Sequence, residues 1–281
     1  MKTRAKSAFI MAPLLIIVFL GGYFLVAGVF VLSLMAVKEY CNAFREKKPA
    51  IWAIYVSLFL LYGGYLLSAY GGEMLVTTWL ILPWVFVSLI LCFLSMFAME
   101  KRDLMQGMAT ITGVFYINFL AFHIVLVDEY FSSEFYAGPV PLTGLNSYVW
   151  IIILSAFGTD IFAYFTGKAF GKRKLCPSIS PKKTISGAIG GVAGSILLCG
   201  LFGYFLIPGG FIDCLIIGAA GGVVSQLGDL SASVMKRKIG IKDWGTLIPG
   251  HGGILDRIDS LLFTAPLVFY FLSVKMVLFG L

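Results

Sequence analysis

The sequence predicts an all-α protein that crosses a membrane about nine times and carries one polar site in its C-terminal half. Of its 281 residues, 59% are hydrophobic and 12% are charged, whereas soluble domains carry about 25% charged residues. The apolar residues also form long runs, and a run of about 20 residues is enough to cross the hydrocarbon core of a bilayer. Composition and run length together exclude an ordinary soluble domain.

Charged residues, glycines and prolines divide the chain into nine apolar runs that we interpret as candidate spans. These cover residues 8–20, 23–44, 50–70, 76–99, 105–126, 147–168, 186–206, 211–235 and 257–279. Only Gly21 and Gly22 separate the first two runs, so eight spans are the alternative to nine. We expect one continuous membrane domain, with about five scaffold helices in residues 1–146 and about four helices of a catalytic region in residues 147–281.

The positive charges predict the orientation of the chain. Under the nine-span assignment, 20 of the 21 lysines and arginines fall on one face, and only Lys275 lies near the other. Loops rich in lysine and arginine stay in the cytoplasm, so we expect a multi-pass protein of the cell membrane whose site faces the cytoplasm. In this apolar background, the net charge of +7 favours anionic lipid headgroups and phosphates as partners rather than nucleic acid.

A dense polar segment, residues 225–260, interrupts the apolar pattern. Asp256 and Asp259 are three residues apart and therefore share one face of a helix. Such paired carboxylates suit Mg²⁺, and Asp229 supplies a third oxygen donor. The run 249–253 (PGHGG) can only form a turn, and its bare glycine N–H groups can approach a phosphate closely. The segment predicts a metal–nucleotide site.

The sixth predicted span adds a carboxylate inside the membrane. Asp160, Tyr164 and Lys168 are spaced by four residues and line one helical face. A bare charge there costs about 2.5–3.5 kcal/mol on insertion scales, so Asp160 is either the wall of a site or a paired structural residue. The loop after this span offers hydroxyl and amine groups to phosphate oxygens, or it anchors the chain to anionic lipid. These groups belong to Ser178, Ser180, Lys182, Lys183 and Thr184.

Small residues predict close packing of the last spans. Gly218, Gly222, Ser225, Asp229 and Ser233 recur by three and four along one face, and such small residues allow membrane helices to approach closely. We therefore expect Asp229 to be held near the inner mouth of the bundle.

The polar segment also resembles the signature of a known family, the phosphatidate cytidylyltransferases. The resemblance lies in residues 233–259, SVMKRKIGIKDWGTLIPGHGGILDRID. Its fixed positions are Ser233, Lys236, Arg237, Lys242, Asp243, Gly245, Pro249, His251, Gly252, Gly253, Asp256, Arg257 and Asp259. Asp160 and the run 180–184 (SPKKT) extend the match. One position differs, because Ser186 stands before Gly187 where the family usually has an acidic residue.

This resemblance implies a membrane enzyme that condenses CTP with phosphatidate from the inner leaflet, giving CDP-diacylglycerol and pyrophosphate. The residues themselves favour Mg²⁺ bound by Asp229, Asp256 and Asp259, and Asp243 is either a further ligand or part of an ion pair in the loop. The implied catalytic residues are Asp229, Lys242, Asp243, His251, Asp256, Arg257 and Asp259. The implied substrate-binding residues are Asp160, Ser180, Lys182, Lys183, Thr184, Ser233, Lys236, Arg237, Gly252 and Gly253.

Several alternatives stay open at this point. His251 either contacts a phosphate or forms a hydrogen bond within the turn. Mn²⁺ is an alternative to Mg²⁺, and the sequence does not decide whether a second cation such as K⁺ or a homodimer is involved. A transporter, a lipid kinase and a non-catalytic scaffold are the rival functions. A transporter needs no long polar loop, and a scaffold leaves the clustered aspartates unexplained.

Overall fold

The protein is an integral membrane protein built almost entirely from helices. The structure, a computed structural model, describes residues 15–44, 48–70, 76–98, 104–131, 135–137, 140–142, 147–247 and 252–279. Within these ranges, eight helices are long and apolar enough to cross a membrane. The first predicted span, residues 8–20, lies mostly outside the described residues, and its described part, 15–20, is helical. The choice between eight and nine spans therefore stays a prediction.

The other eight predicted spans each coincide with an observed one. The helices are α1 (Gly22–Ala43), α2 (Ile51–Tyr70), α3 (Val76–Ala98), α4 (Leu104–Gly113), α5 (Leu120–Tyr130), α6 (Ser147–Phe170), α7 (Ile185–Leu206), α8 (Phe211–Lys238) and α9 (Leu255–Phe279). A π-helical segment, Val114–Phe119, joins α4 to α5, so these three elements form one span. Apolar runs alone were therefore enough to place the helices.

Two short hairpins interrupt the helices. Strand β1 (Phe135–Ala137) pairs with β2 (Val140–Leu142), and β3 (Lys174–Cys176) pairs with β4 (Ser180–Thr184), both antiparallel. The second hairpin occupies the stretch that the sequence predicted only as a polar loop. Its end starts α7 directly, because the Thr184 side chain accepts a hydrogen bond from the Gly187 N–H at 3.1 Å and thereby caps the helix.

Glycines bring the last four helices together as predicted. Helix α6 packs along α7, α7 along α8, and α8 along α9. A methyl group at Gly218 would lie 2.9 Å from backbone atoms of Ser195 and Ile196, so only glycine permits this approach of α8 to α7. The C-terminal half of α8, which carries Asp229, is thus held against the neighbouring helices.

Helix α9 joins the two halves of the chain. It packs against α5 and α6 as well as α8, and α1 contacts both α5 and α9. His123 of α5 is buried in this contact, with Nδ1 2.8 Å from the Phe119 carbonyl and Nε2 3.3 Å from the Tyr270 hydroxyl. This membrane histidine therefore has a packing role. The division of the chain at residue 146 stays a prediction.

Candidate functional site

The Asp256 carboxylate is the centre of the polar segment. Its Oδ1 accepts a hydrogen bond from Lys236 Nζ at 2.7 Å, which links the end of α8 to the first turn of α9. Its Oδ2 accepts the backbone N–H groups of Trp244 at 2.8 Å and Gly253 at 2.9 Å. Gly252 has a φ of +87°, which favours glycine. A side chain there would also collide with Asp256. Asp256 therefore connects the end of α8 and two residues of the following loop, Trp244 and Gly253, to the first turn of α9.

Asp229, Asp259 and Asp160 lie near one another beside this centre. Asp259 is buried, its Oδ1 accepts the Ser260 N–H at 2.8 Å, and both Asp229 and Asp160 act on it electrostatically. Asp229 Oδ2 lies 2.5 Å from Lys183 Nζ. The lysines thus offset part of the repulsion among carboxylates that α6, α8 and α9 bring together.

The predicted metal donors are present but do not converge. Among the described residues, no three histidine, cysteine, aspartate or glutamate side chains are arranged as a metal site. Lys236 and Lys183 instead pair with Asp256 and Asp229. The donor chemistry, several carboxylates in mutual electrostatic contact, still fits Mg²⁺. Metal binding by Asp229, Asp256 and Asp259 therefore stays a proposal.

A polar cavity of about 340 Å³ opens beside Asp160. Cationic and hydroxyl side chains from α6 and β4 line it, namely Lys168, Lys182, Lys183 and Thr184. Gln226 of α8 also lines it, and its amide donates to the carbonyls of Ala188 and Gly222 at 3.1 and 3.0 Å. Cations in the wall of a concave site attract anions. Four residues predicted on the loop and in the sixth span, Asp160, Lys182, Lys183 and Thr184, therefore meet at this cavity.

A second cavity, of about 130 Å³, is apolar and shares only α6 with the polar one. Side chains of α1, α5, α6 and α9 line it, including Leu25, Val29, Ile152 and Leu262. Arg257 also lines this cavity and acts electrostatically on Asp160, which lines the polar one. One charged residue at the start of α9 therefore lines the apolar cavity and influences a carboxylate of the polar one.

The remaining predicted residues that the structure describes do not line either of these two cavities. Arg237 is exposed and donates to the carbonyls of Ile241 at 3.0 Å and Ile179 at 3.4 Å, so it ties the second hairpin to the end of α8. Lys242 and Asp243 are exposed on the loop after α8, and Ser233 is half-buried in the last turns of α8. Ser180 begins β4 opposite Cys176. Ser186 contacts the Thr184 hydroxyl at 3.5 Å, and His251 lies outside the described residues.

Sequence reasoning missed two residues from the N-terminal half, which it treated as scaffold. Glu39 of α1 accepts a hydrogen bond from the Leu255 N–H at 2.9 Å. Tyr116 of the π-helical segment is 6% exposed, and its hydroxyl has no hydrogen-bond partner among the described residues. Asp259, Asp229 and Asp256 act on it electrostatically. A charge within an apolar helix was a visible signal for Glu39, whereas nothing in the sequence set Tyr116 apart.

These features define a class: a helical membrane protein that has both a cation-lined cavity and an apolar one. Residues 2–275 match the model of the cytidylyltransferase family, and the chain belongs to that family. It is 35% identical over 271 residues to the phosphatidate cytidylyltransferase of Synechocystis sp., covering 90% of this chain and 89% of the relative. It is 38% identical over 171 residues to that of Bacillus subtilis, covering 60% of this chain and 62% of the relative. The predicted family is confirmed.

The two lysine–aspartate pairs should differ in their contribution to stability. Lys236 and Asp256 have side chains that are 10% and 5% exposed, against 26% and 29% for Lys183 and Asp229. Breaking a buried pair costs about 3–5 kcal/mol, and an exposed pair contributes about 0–1 kcal/mol. We expect Lys236→Met to lower the thermal unfolding midpoint in detergent clearly more than Lys183→Met does. Equal unfolding midpoints for the two variants would contradict the central structural role of the Lys236–Asp256 pair.

Proposed function

We propose that this protein condenses CTP with phosphatidate to give CDP-diacylglycerol and pyrophosphate. The observation that carries the proposal is that Asp160 lines the polar cavity while Arg257, which acts electrostatically on Asp160, lines the apolar one. A nucleoside triphosphate needs cations and a lipid needs apolar walls, and the two must meet at their phosphates. Membership of the cytidylyltransferase family and the names of the relatives support the same substrates.

In the proposed reaction, a phosphate oxygen of phosphatidate attacks the α-phosphorus of CTP. The new P–O bond forms as the bond from the α-phosphorus to the bridging oxygen of the β-phosphate breaks, and pyrophosphate leaves with that electron pair. The attacking oxygen is already ionised near neutral pH, so positioning and charge neutralisation supply most of the catalysis. Lys182 and Lys183 would neutralise the triphosphate, and Arg257 would hold the lipid phosphate.

We propose Mg²⁺ as the metal cofactor, held by Asp229, Asp256 and Asp259. When bound, it would withdraw charge from the phosphate oxygens. The chain's own residues prepare the donors: Ser260 orients the Asp259 carboxylate at 2.8 Å through its N–H group, and Lys236 orients Asp256. Lys183 lies beside Asp229 and also lines the polar cavity, where it would bind the triphosphate.

The same proposal places the protein in the cell membrane, with the site open to the cytoplasm. The lysines that line the polar cavity belong to the face on which the sequence concentrates its positive charges, and such faces stay cytoplasmic. CTP would then enter the polar cavity from the cytosol. The acyl chains of phosphatidate would lie along the apolar cavity.

The decisive experiment is pyrophosphate release by the purified protein in detergent. With CTP, Mg²⁺ and phosphatidate together we expect release, whereas omission of either substrate should abolish it. ATP in place of CTP, and diacylglycerol in place of phosphatidate, serve as controls. Phosphorylation of a lipid alcohol without pyrophosphate would instead support a lipid kinase, and no turnover by folded protein would return the transporter to consideration.

Removing single negative charges from the site should abolish turnover without preventing membrane insertion. We expect Asp256→Asn and Asp259→Asn each to lower kcat/KM by at least about 100-fold, a loss typical of one electrostatic group at a reacting phosphate or carbonyl. Glu129→Gln is the matched control, since Glu129 is an exposed carboxylate that accepts a hydrogen bond from Tyr65 at 2.7 Å. Full activity in Asp256→Asn protein would contradict the proposed site.

The Tyr116 hydroxyl is expected to bind a substrate phosphate oxygen, because it is buried beside the aspartates and unpartnered among the described residues. A hydrogen bond to a charged group contributes about 1.5–3 kcal/mol, so Tyr116→Phe should lower kcat/KM at least about tenfold with unchanged thermal stability. Tyr62→Phe is the control, because Tyr62 is equally buried but packs against Phe30 and Phe122. Equal activity of the two variants would contradict the assignment.

A further inference from the structure

A carboxylate from the first half of the chain lies against the loop that carries the signature. Glu39 belongs to α1, and its Oε2 accepts the Leu255 N–H at 2.9 Å across 216 residues of sequence. Leu255 begins α9, and the N–H groups of a first helical turn have no partner within the helix. Glu39 therefore caps the helix whose next residue is Asp256.

Two glycines of this loop, Gly245 and Gly253, lie so close to the Glu39 carboxylate that an added side chain would meet it. A methyl group at Gly253 would overlap the Glu39 carboxylate, whose atoms are the three nearest to it, and one at Gly245 would lie 2.7 Å from Oε1. Neither glycine has the positive φ that Gly252 adopts. A side chain at Gly245 or Gly253 would therefore have to displace the Glu39 carboxylate, whereas neither position needs glycine for its backbone conformation.

Tyr40, the next residue of α1, packs against Trp244 in another part of the loop. The Tyr40 ring lies 5.4 Å from the Trp244 ring, and the Trp244 N–H is one of the donors to Asp256 Oδ2. The Gly253 N–H is the second donor to that oxygen. Two adjacent residues of α1 thus contact both backbone segments that orient Asp256.

Glu39 is half-buried as a residue, but one of its carboxylate oxygens is placed at an energetic cost. Its Oε1 is buried and has no hydrogen-bond partner among the described residues. Burying an unpaired carboxylate oxygen is unfavourable, and the positive end of the α9 dipole offsets only part of that cost. An alanine would avoid this cost but would leave Leu255 without its acceptor and the loop without its support.

We infer that Glu39 is a positioning residue for cytidylyl transfer, which fixes the loop and the first turn of α9 so that Asp256 and Arg257 face the substrates. This inference rests on the proposed function for its kinetic consequence. The structural part of the inference is that Glu39 accepts the Leu255 N–H and lies against Gly253, and this part does not depend on the substrate. The N-terminal half of the chain therefore shapes the site and does more than supply membrane spans.

The kinetic experiment compares Glu39→Ala, Glu39→Gln, Gly253→Ala and the Glu39→Ala/Gly253→Ala double variant. We expect Glu39→Ala to lower kcat by about 10- to 100-fold, the scale of a small misplacement of catalytic groups, with KM for CTP and for phosphatidate within about threefold. Glu39→Gln keeps an accepting oxygen and should recover most of kcat. The control Glu129→Ala should keep the kcat of the unmodified protein.

The double variant tests the contact itself. Gly253→Ala alone should lower kcat because its methyl group meets the Glu39 carboxylate, whereas in the double variant that carboxylate is gone. The double variant should therefore be no worse than Glu39→Ala, a non-additive result typical of residues in direct contact. Additive losses, unchanged kcat in Glu39→Ala or a change confined to KM would overturn the inference. If Glu39→Ala fails to accumulate, Glu39→Asp replaces it in the cycle, because the shorter side chain also withdraws from Gly253.

A second measurement separates this inference from the proposed function. Amide hydrogen exchange at Leu255 and Gly253 should accelerate at least about tenfold in Glu39→Ala, because exchange reports the loss of local hydrogen bonds. It should stay unchanged in Glu129→Ala. If the unmodified protein shows no cytidylyl transfer, the proposed function is wrong. The hydrogen-exchange measurement would still test whether Glu39 positions the loop. Unchanged exchange at both amides would defeat the positioning whatever the activity.

Discussion

The site depends on one physical constraint: charged groups at the end of an apolar bundle must be paired or hydrogen-bonded there. The Asp256 carboxylate meets this constraint with three donors, Lys236 and the N–H groups of Trp244 and Gly253. These bonds link the end of α8 and two described residues of the loop, Trp244 and Gly253, to the first turn of α9. Because an unpaired buried carboxylate is costly, loss of these interactions would be unfavourable.

Helix packing then determines which charges face one another. Glycines on α7 and α8 let α6, α7, α8 and α9 approach closely, so Asp160, Asp229 and Asp259 come from three helices into one electrostatic cluster. Arg257 lies at the edge of this cluster and lines the apolar cavity. A water-soluble nucleotide and a membrane lipid would be able to meet there without either leaving its own medium.

The N-terminal half completes the site from the opposite side. Glu39 and Tyr40 of α1 contact the loop, and the π-helical segment Val114–Phe119 presents Tyr116 to the aspartates. π-Helical turns are rare and are frequently found at functional sites. The spans that composition describes as scaffold thus contribute polar groups, of which Tyr40 and Tyr116 are buried and Glu39 is half-buried.

The sequence by itself determined the spans, the family and the segment that carries the polar site, because apolar runs and motif spacing are local properties. It also indicated that Gly218 and Gly222 pack closely. Only the tertiary structure decided that Lys236 pairs with Asp256 and Lys183 with Asp229. It also showed that Gly245 and Gly253 lie against a carboxylate, Glu39, that belongs to α1. Such partners lie up to 216 residues apart, and contacts over that distance depend on how the helices pack.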